Sequence, residues 1–216
     1  MDKEPAPHTS NVGVCAIYMT RVPIFLLAFM LVGLLVDPWH ASAADLAAGK
    51  ATAKGCAGCH GEDGISRMPL TPSLAGEPDD FTQWQLVFFR GGSRKSEVMG
   101  PVAKALDNEE IRNLGAYYAS LPPPKAESGS ALDALAQTGA KLALQHRCKA
   151  CHSDDYSGIG PAARLAGQRE DVLLKALRDF KSDIRPGSGV ASMADVVYGL
   201  SDDDMRALAH YLAMQP

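Results

Sequence analysis

The chain has 216 residues, of which 46% are apolar and 21% charged, and its formal net charge is −4. This balance is typical of a globular protein and excludes a disordered or fibrous chain. An acidic chain also lacks the basic surface that nucleic-acid binding requires, so no nucleic-acid partner is expected. The five cysteines are too few for a disulfide scaffold of this length.

The N-terminal region has the pattern of an export signal. Residues 22–36 form an uncharged, mostly apolar run, which Arg21 precedes and the small-x-small motif at 41–43 follows. This order is typical of a signal peptide. A membrane anchor is the alternative, but a spanning helix needs about 20 apolar residues and this run is shorter. We therefore predict a signal peptide over 1–43 and a protein of the periplasm, either soluble or peripherally associated with the membrane.

The first eighteen residues are unusual for such a signal, because they are polar and begin with acidic residues. Met19, followed by Thr20 and Arg21, would open a more ordinary signal peptide, and we interpret it as the true start of translation. Cys15 precedes the apolar run, so it is not a lipoprotein cysteine, which would follow such a run.

Helical patterns dominate the region after the signal peptide, and no segment shows the alternation of a strand. In the first predicted domain, residues 44–123, the expected helices are 45–54, a segment capped by Asp79, and a segment capped by Asp107 with Glu110. The sequence therefore predicts an all-α fold.

Cys56, Cys59 and His60 form a C-x-x-C-H motif, the attachment signature of c-type haem. Two thiols one helical turn apart can each bond a vinyl group of one porphyrin, and the adjacent histidine can then bind the iron. A thioredoxin-like site and half of a zinc site have similar spacing and are the alternatives.

A second copy of the motif consists of Cys148, Cys151 and His152. The two copies use every cysteine after the signal peptide, and they lie 92 residues apart within matching segments. That separation disfavours one shared zinc ion. We therefore predict two covalently attached c-type haems, one at each motif.

A proline triplet, 122–124, separates the two halves and is followed by small and polar residues. Such a composition is typical of a linker, which we place at 124–130. The second predicted domain is 131–216, with helices over 131–145, capped by Ser130, and over 170–180. Ser201 with Asp204 is expected to cap its last helix.

The second half repeats the first, because the same residue types recur in the same order after each motif. The matched pairs are Pro69 and Pro161, Leu74 and Leu165, Phe89 and Phe180, Met99 and Met193, Leu106 and Leu200, and Tyr117 and Tyr211. Gly49 and Gly139 fall where the first helix of each half could cross the last helix closely. Each half is small for a self-sufficient core, so we expect poor folding without haem.

Met99 and Met193 are the candidate sixth ligands of the two irons. Thioether sulfur is soft and suits ferrous iron, so a His/Met pair raises the reduction potential. Core packing is the ordinary role of a methionine, but the matched position of this pair argues against it. Met68 has no counterpart in the second half and is interpreted as a packing residue.

Other residues have less specific signals. The turns at Pro69 and Pro161 could supply a carbonyl that accepts the second ring N–H of each histidine, or be plain turns. Basic clusters precede both candidate methionines: Arg90, Arg94 and Lys95 in the first half, and Arg178, Lys181 and Arg185 in the second. We interpret them as solvated faces, with haem propionates or a redox partner as the alternatives. Trp84 is expected in the core.

With these motifs the chain resembles the cytochrome c superfamily and, more closely, the two-haem cytochrome c4 family. The resemblance covers 44–216 and depends on both C-x-x-C-H motifs, both Leu-Ala-Gly segments, the 99–103 segment and Met193. It implies two similar all-α domains, each around one covalent haem. One departure is that Ala194 and Asp195 follow Met193, where the first half has Met-Gly-Pro.

The resemblance also implies a set of haem-binding residues. It assigns Cys56 and Cys59 to attachment of the first haem and His60 and Met99 to its axial positions. The corresponding residues of the second haem are Cys148 and Cys151 for attachment and His152 and Met193 as ligands.

Three functions are compatible with this pattern. The first is a periplasmic electron carrier, not an enzyme, working between a quinol-oxidising complex and a terminal oxidase, as the resemblance implies. The second is the cytochrome subunit of a periplasmic dehydrogenase complex, with the same haem chemistry. The third, a di-haem peroxidase, needs an open iron position and is disfavoured by the paired methionines. For the first two functions the expected partners of the chain are redox proteins, and no small-molecule substrate is expected at iron.

Overall fold

The computed structural model describes residues 43–126, 133–185 and 191–216. The predicted signal peptide before residue 43, the start at Met19 and the last part of the linker lie outside the described residues. The described part is helical, and its one β-type pairing is an isolated bridge between Ile159 and Ala162. The predicted all-α class is confirmed.

The described residues form ten helices, five in each half of the repeat. In chain order they are α1 (Leu46–Ala53), α2 (Ala57–His60), α3 (Asp79–Gly91), α4 (Met99–Lys104), α5 (Asn108–Ala119), α6 (Ala134–Gln145), α7 (Lys149–His152), α8 (Glu170–Lys181), α9 (Ala191–Tyr198) and α10 (Asp202–Ala213).

The last helix of each half begins with the predicted capping box. The Asp107 side chain accepts the Glu110 N–H, and the Glu110 side chain accepts the Asp107 N–H in return. Ser201 and Asp204 make the equivalent exchange at α10. Each pair satisfies backbone N–H groups that have no partner inside the helix.

Two other predicted caps are wrong. Asp79 is the first residue of α3, and Pro78 stands at the cap position. Asp79 still suits the first turn, because a negative charge is stabilised at a helix N-terminus. Asp133, and not Ser130, caps α6 by accepting the Leu135 N–H. Ser130 lies outside the described residues.

In each half the first long helix packs across the last one, α1 on α5 and α6 on α10. The crossings are so close that only glycine fits, as expected. A Cβ at Gly49 would lie 2.2 Å from the Asn113 carbonyl oxygen, and one at Gly139 would lie 2.1 Å from the Ala207 carbonyl oxygen. Both distances are far below van der Waals contact, so the absent side chain permits the crossing.

Each half has its own apolar cluster. In the first half it contains Ala53, Leu114 and Tyr118. The cluster of the second half is larger and includes Met205, Leu208 and the other inward residues of α10. Trp84 lies outside both clusters: it is 50% exposed, so its predicted core position is wrong. It stacks on Phe88, one turn along α3, with ring centroids 5.7 Å apart.

The chain passes from one half to the other along the proline triplet. Pro123 lies against Gly76 of the first Leu-Ala-Gly segment, and the Pro124 carbonyl lies against Gly167 of the second. Residues 43–216 form one compact unit, and both predicted domains lie within it. The boundary at residues 123 and 124 stays a prediction. Among the described residues, no helix has the length and apolarity to cross a bilayer.

The helix crossings predict an asymmetric effect of two glycine substitutions. Gly139→Ala should lower the free energy of unfolding by about 1–3 kcal/mol, because its methyl group would overlap the backbone of α10. Gly91→Ala is the matched control, since nothing lies within 4 Å of a Cβ there and alanine is the better helix former by up to about 1 kcal/mol. Denaturant unfolding of the haem-loaded protein measures both. Equal effects would contradict the close crossing.

Candidate haem sites

Both C-x-x-C-H motifs lie on single-turn helices. The His60 N–H donates to the Cys56 carbonyl and the His152 N–H to the Cys148 carbonyl, both at 3.0 Å. Cys59 and Cys151 are exposed, and their partners one turn before are half-buried. All four thiols are free. Each motif therefore offers two thiols one helical turn apart beside a histidine, as attachment of one porphyrin requires.

The two histidine rings are buried and held in a fixed orientation. His60 is 7% exposed and His152 is 8% exposed. Nδ1 of His60 donates to the Pro72 carbonyl at 2.8 Å, and Nδ1 of His152 donates to the Ala163 carbonyl at 2.8 Å. Because a carbonyl only accepts, Nδ1 carries the proton and Nε2 keeps its lone pair for a metal.

The pKa values of these groups suit the same role. Burial lowers the pKa of His60 and of His152, against the opposing effect of their carbonyl partners, and so favours the neutral imidazole that binds metal. Burial raises the pKa of the Cys56 and Cys148 thiols. A thioredoxin-like site would need a lowered thiol pKa, so the structure argues against that alternative.

A shared zinc site is also disfavoured. All six cysteines and histidines of the two motifs are described. Yet no group of three or more His, Cys, Asp or Glu side chains suited to a metal ion occurs in the described ranges. The two motifs therefore do not converge on one ion.

The candidate methionines lie at equivalent places, near the start of the helix that follows α3 or α8. Met99 is the first residue of α4, and its N–H donates to the Ser96 hydroxyl at 3.0 Å. Met193 is in the first turn of α9 and packs against the apolar cluster of the second half. Both are half-buried. Met68 is 44% exposed, so its interpretation as a packing residue is wrong.

Three of the six basic residues make hydrogen bonds to the last helix or to the residues just before it in their own half. Arg178 keeps 42% of its side chain exposed and Lys181 is exposed, so both stay solvated as predicted. Arg90 donates to the Leu106 carbonyl and to Asn108. Arg178 makes two hydrogen bonds to Asp202, at 2.7 and 2.8 Å. Lys181 donates to the Leu200 carbonyl. These contacts join α3 to α5 and α8 to α10.

Arg94 and Arg185, one from each half, meet at a single buried amide. The Oε1 atom of Gln85 accepts from Arg94 at 2.6 Å and from Arg185 at 2.8 Å. Each guanidinium also covers a phenylalanine ring of its own half, at 4.4 and 4.5 Å. Burial lowers the pKa of both groups. The solvated-face interpretation is wrong for these two arginines, because the two halves bring them into their shared interface.

The residues present therefore fit two covalently attached haems. Each motif supplies the thiols and an imidazole whose Nε2 is free, and each half places a thioether near the start of a helix. The softness of the thioether and the neutral imidazole suit haem iron.

Comparison with known proteins agrees with this chemistry. The cytochrome c family model matches residues 136–215. A thiosulfate dehydrogenase electron acceptor of Stutzerimonas stutzeri is 32% identical over 170 residues, which are 74% of this chain and 79% of that protein. Cytochrome c4 of Thiocapsa roseopersicina is 33% identical over 177 residues, 78% of this chain and 91% of its own.

A solved structure shows the same architecture. The crystal structure of reduced recombinant cytochrome c4 from Pseudomonas stutzeri matches with a TM-score of 0.74 at 28% identity, covering 81% of this chain and all of that one. With relatives above 30% identity over 74% and 78% of its length, the chain belongs to the cytochrome c4 family and is an electron carrier with two covalently bound c-type haems.

Proposed function

We propose that each haem has one histidine and one methionine as axial ligands, and that the protein passes electrons between redox proteins of the periplasm without being an enzyme. Cys56 and Cys59 attach the first haem, with His60 and Met99 as its ligands. Cys148 and Cys151 attach the second, with His152 and Met193 as its ligands. The oriented imidazole in both halves is the observation that carries the assignment.

The haem iron supplies the one-electron chemistry when it is bound, and the chain determines at what potential this happens. The Nδ1 hydrogen bond fixes the ring of each histidine and makes its Nε2 more basic. The thioethers of Met99 and Met193 favour the ferrous state and raise the potential. With a histidine and a methionine of each half bound to its iron, neither haem would offer a position to a substrate.

The two halves are joined by direct hydrogen bonds, which support internal electron exchange. The Leu70 N–H donates to Asp171 at 2.9 Å, and the Ser73 N–H donates to Gln168 at 3.0 Å. These bonds connect a loop of the first half to the first turn of α8 and to Gln168 just before it. We expect direct bonds of this kind to limit changes in the spacing of the two redox centres.

The periplasm is the compartment that the 22–43 signal pattern favours. There the proposed partners are a quinol-oxidising complex as donor and a terminal oxidase as acceptor. Small, short-lived interfaces suit such encounters.

A periplasmic dehydrogenase is the second candidate donor. The name of the Stutzerimonas stutzeri relative, a thiosulfate dehydrogenase electron acceptor, favours it. In that case the haem chemistry is the same, and the protein is either a partner or a subunit of the dehydrogenase.

Carbon monoxide tests the ligand assignment. The reduced wild-type protein should show no change in its absorption spectrum, because both irons keep their methionines. Met99→Ala and Met193→Ala should each bind one equivalent of carbon monoxide, at different haems. Met68→Ala is the matched control, since Met68 is exposed and has no assigned ligand role. Binding of carbon monoxide to the wild-type protein would contradict the His/Met assignment.

The two donors can be separated by kinetics and by size-exclusion chromatography. We expect the oxidised protein to be reduced by a purified quinol-oxidising complex at a rate proportional to its concentration, without co-elution. Added salt should change that rate, because charged surfaces guide such encounters. Stable co-elution with a thiosulfate dehydrogenase, and faster reduction by it, would instead assign the chain to the dehydrogenase. Steady turnover of hydrogen peroxide would refute the non-enzymatic role.

A further inference from the structure

The two candidate ligand histidines are connected through the interface between the halves. The Pro72 carbonyl that accepts from His60 belongs to the same peptide group as the Ser73 N–H, which donates to Oε1 of Gln168 at 3.0 Å. Gln168 belongs to the second half. The peptide group that holds the first histidine is therefore itself held by the opposite half.

The second half makes the reciprocal arrangement. The Ala163 carbonyl that accepts from His152 shares its peptide group with the Arg164 N–H, which donates to Oε2 of Glu77 at 3.0 Å. Glu77 belongs to the first half. In both halves the hydrogen-bond partner of the histidine is thus polarised by a side chain from the other half.

The hydrogen bonds behind His60 form one branch and those behind His152 form the other. A bond between Gln168 and Glu77 joins the two branches. Nε2 of Gln168 donates to the Ser73 carbonyl at 2.9 Å and to Oε1 of Glu77 at 3.5 Å, the longest link. Its Oε1 also accepts the Arg169 N–H at 3.1 Å, so two backbone donors determine which way the amide points. Glu77 is 4% exposed and Gln168 is 5% exposed. The bonds are therefore sheltered from water. In this buried environment each hydrogen bond is electrostatically stronger than it would be in water.

We infer that Glu77 and Gln168 are positioning residues that tune the two haems in a crossed manner, each acting on the histidine ligand of the opposite half. This inference rests on the proposed assignment of His60 and His152 as ligands. A bond donated by a peptide N–H makes the carbonyl of that peptide a stronger acceptor, by roughly 10–30% per bond. A stronger acceptor makes the imidazole more electron-donating and favours ferric iron.

The two branches differ in charge, and this difference makes the inference specific. When Glu77 is ionised, the Arg164 N–H meets a carboxylate, whereas the Ser73 N–H meets a neutral amide at every pH. Hydrogen bonds to an ionised acceptor are roughly twice as strong as neutral ones. The second haem should therefore respond to Glu77, and the first haem to Gln168.

Glu77 also makes the potential of the second haem depend on pH. Burial raises the pKa of Glu77 to about 7, against the lowering effects of the Arg164 N–H and Gln168 bonds and of the Arg164 and Arg185 charges that face it. Oxidation adds positive charge at the iron and favours the carboxylate, so the pKa is lower in the oxidised state. When the electron leaves to the redox partner, the carboxyl proton leaves to bulk water. The potential of the second haem therefore falls as the pH rises through neutrality.

Optical redox titration of the haem-loaded protein tests the crossed pattern. Glu77→Gln should raise the potential of the second haem more than that of the first and flatten its pH dependence. Gln168→Leu should raise the potential of the first haem, because the Ser73 N–H loses its acceptor. Asp171→Asn is the matched control: it removes a carboxylate that accepts a backbone N–H across the same interface, but from Leu70, whose peptide holds no histidine. Asp171→Asn should not shift the potential of one haem more than that of the other.

Met99→His and Met193→His, each giving one haem a His/His spectrum, identify which signal belongs to which haem. Two results would overturn the crossed tuning. One is that Glu77→Gln shifts the potential of the second haem no more than Asp171→Asn does, and the other is that it shifts the potential of the first haem more than that of the second. If Glu77→Gln fails to fold, the wild-type titration between about pH 5 and pH 9 decides, and a flat potential at the second haem overturns it. Carbon monoxide binding by the reduced wild type would instead refute the ligand assignment, so the two failures are distinguishable.

Discussion

The hydrogen bond from each buried imidazole to a backbone carbonyl is the interaction on which the rest of the structure depends. It decides which ring nitrogen carries the proton and therefore which one is available to iron. It also requires a loop carbonyl to lie within 2.8 Å of Nδ1 in both halves. Turn bonds within each half and hydrogen bonds from the other half hold that loop in place.

The loop is held in the same way in each half, although by different residues. Gly64 accepts the N–H groups of Leu74 and Ala75, and Tyr156 accepts those of Leu165 and Ala166. Both acceptors have a positive φ, +74° at Gly64 and +59° at Tyr156. That conformation is easy for glycine and costly for tyrosine. The ring of Tyr156 offsets this cost through burial and an edge contact with Tyr211.

Because the chain is duplicated, its two halves form an interface through which each half influences the haem site of the other. A single domain could hold its histidine with a carbonyl alone. Here the peptide group behind that carbonyl donates to a side chain of the other half, and equivalent arginines meet at Gln85. Two halves that pack this closely share buried polar groups, so the electrostatics of one haem site includes groups of the other half. The asymmetry of Glu77 and Gln168 then makes two similar sites unequal.

Local chemistry made much of the molecule predictable from the sequence. Several features act within a few residues or repeat in register. They are the spacing of the cysteines and histidines, the capping boxes at Asp107 and Ser201, and the glycines at the helix crossings. A sequence therefore displays them directly. The repeat located Met99 and Met193 at equivalent positions for the same reason.

What the sequence alone could not decide depends on contacts between distant segments. It did not identify Pro72 and Ala163 as the carbonyl acceptors, because a turn of several residues offers several carbonyls. It did not show that Arg94 and Arg185 are sheltered, or that Trp84 and Met68 are exposed, since the packing of helices and halves determines burial. The pairing of Glu77 with Gln168 joins residues 91 positions apart. Helix caps and motif spacing are thus encoded locally, whereas only the tertiary fold decides which buried polar groups meet.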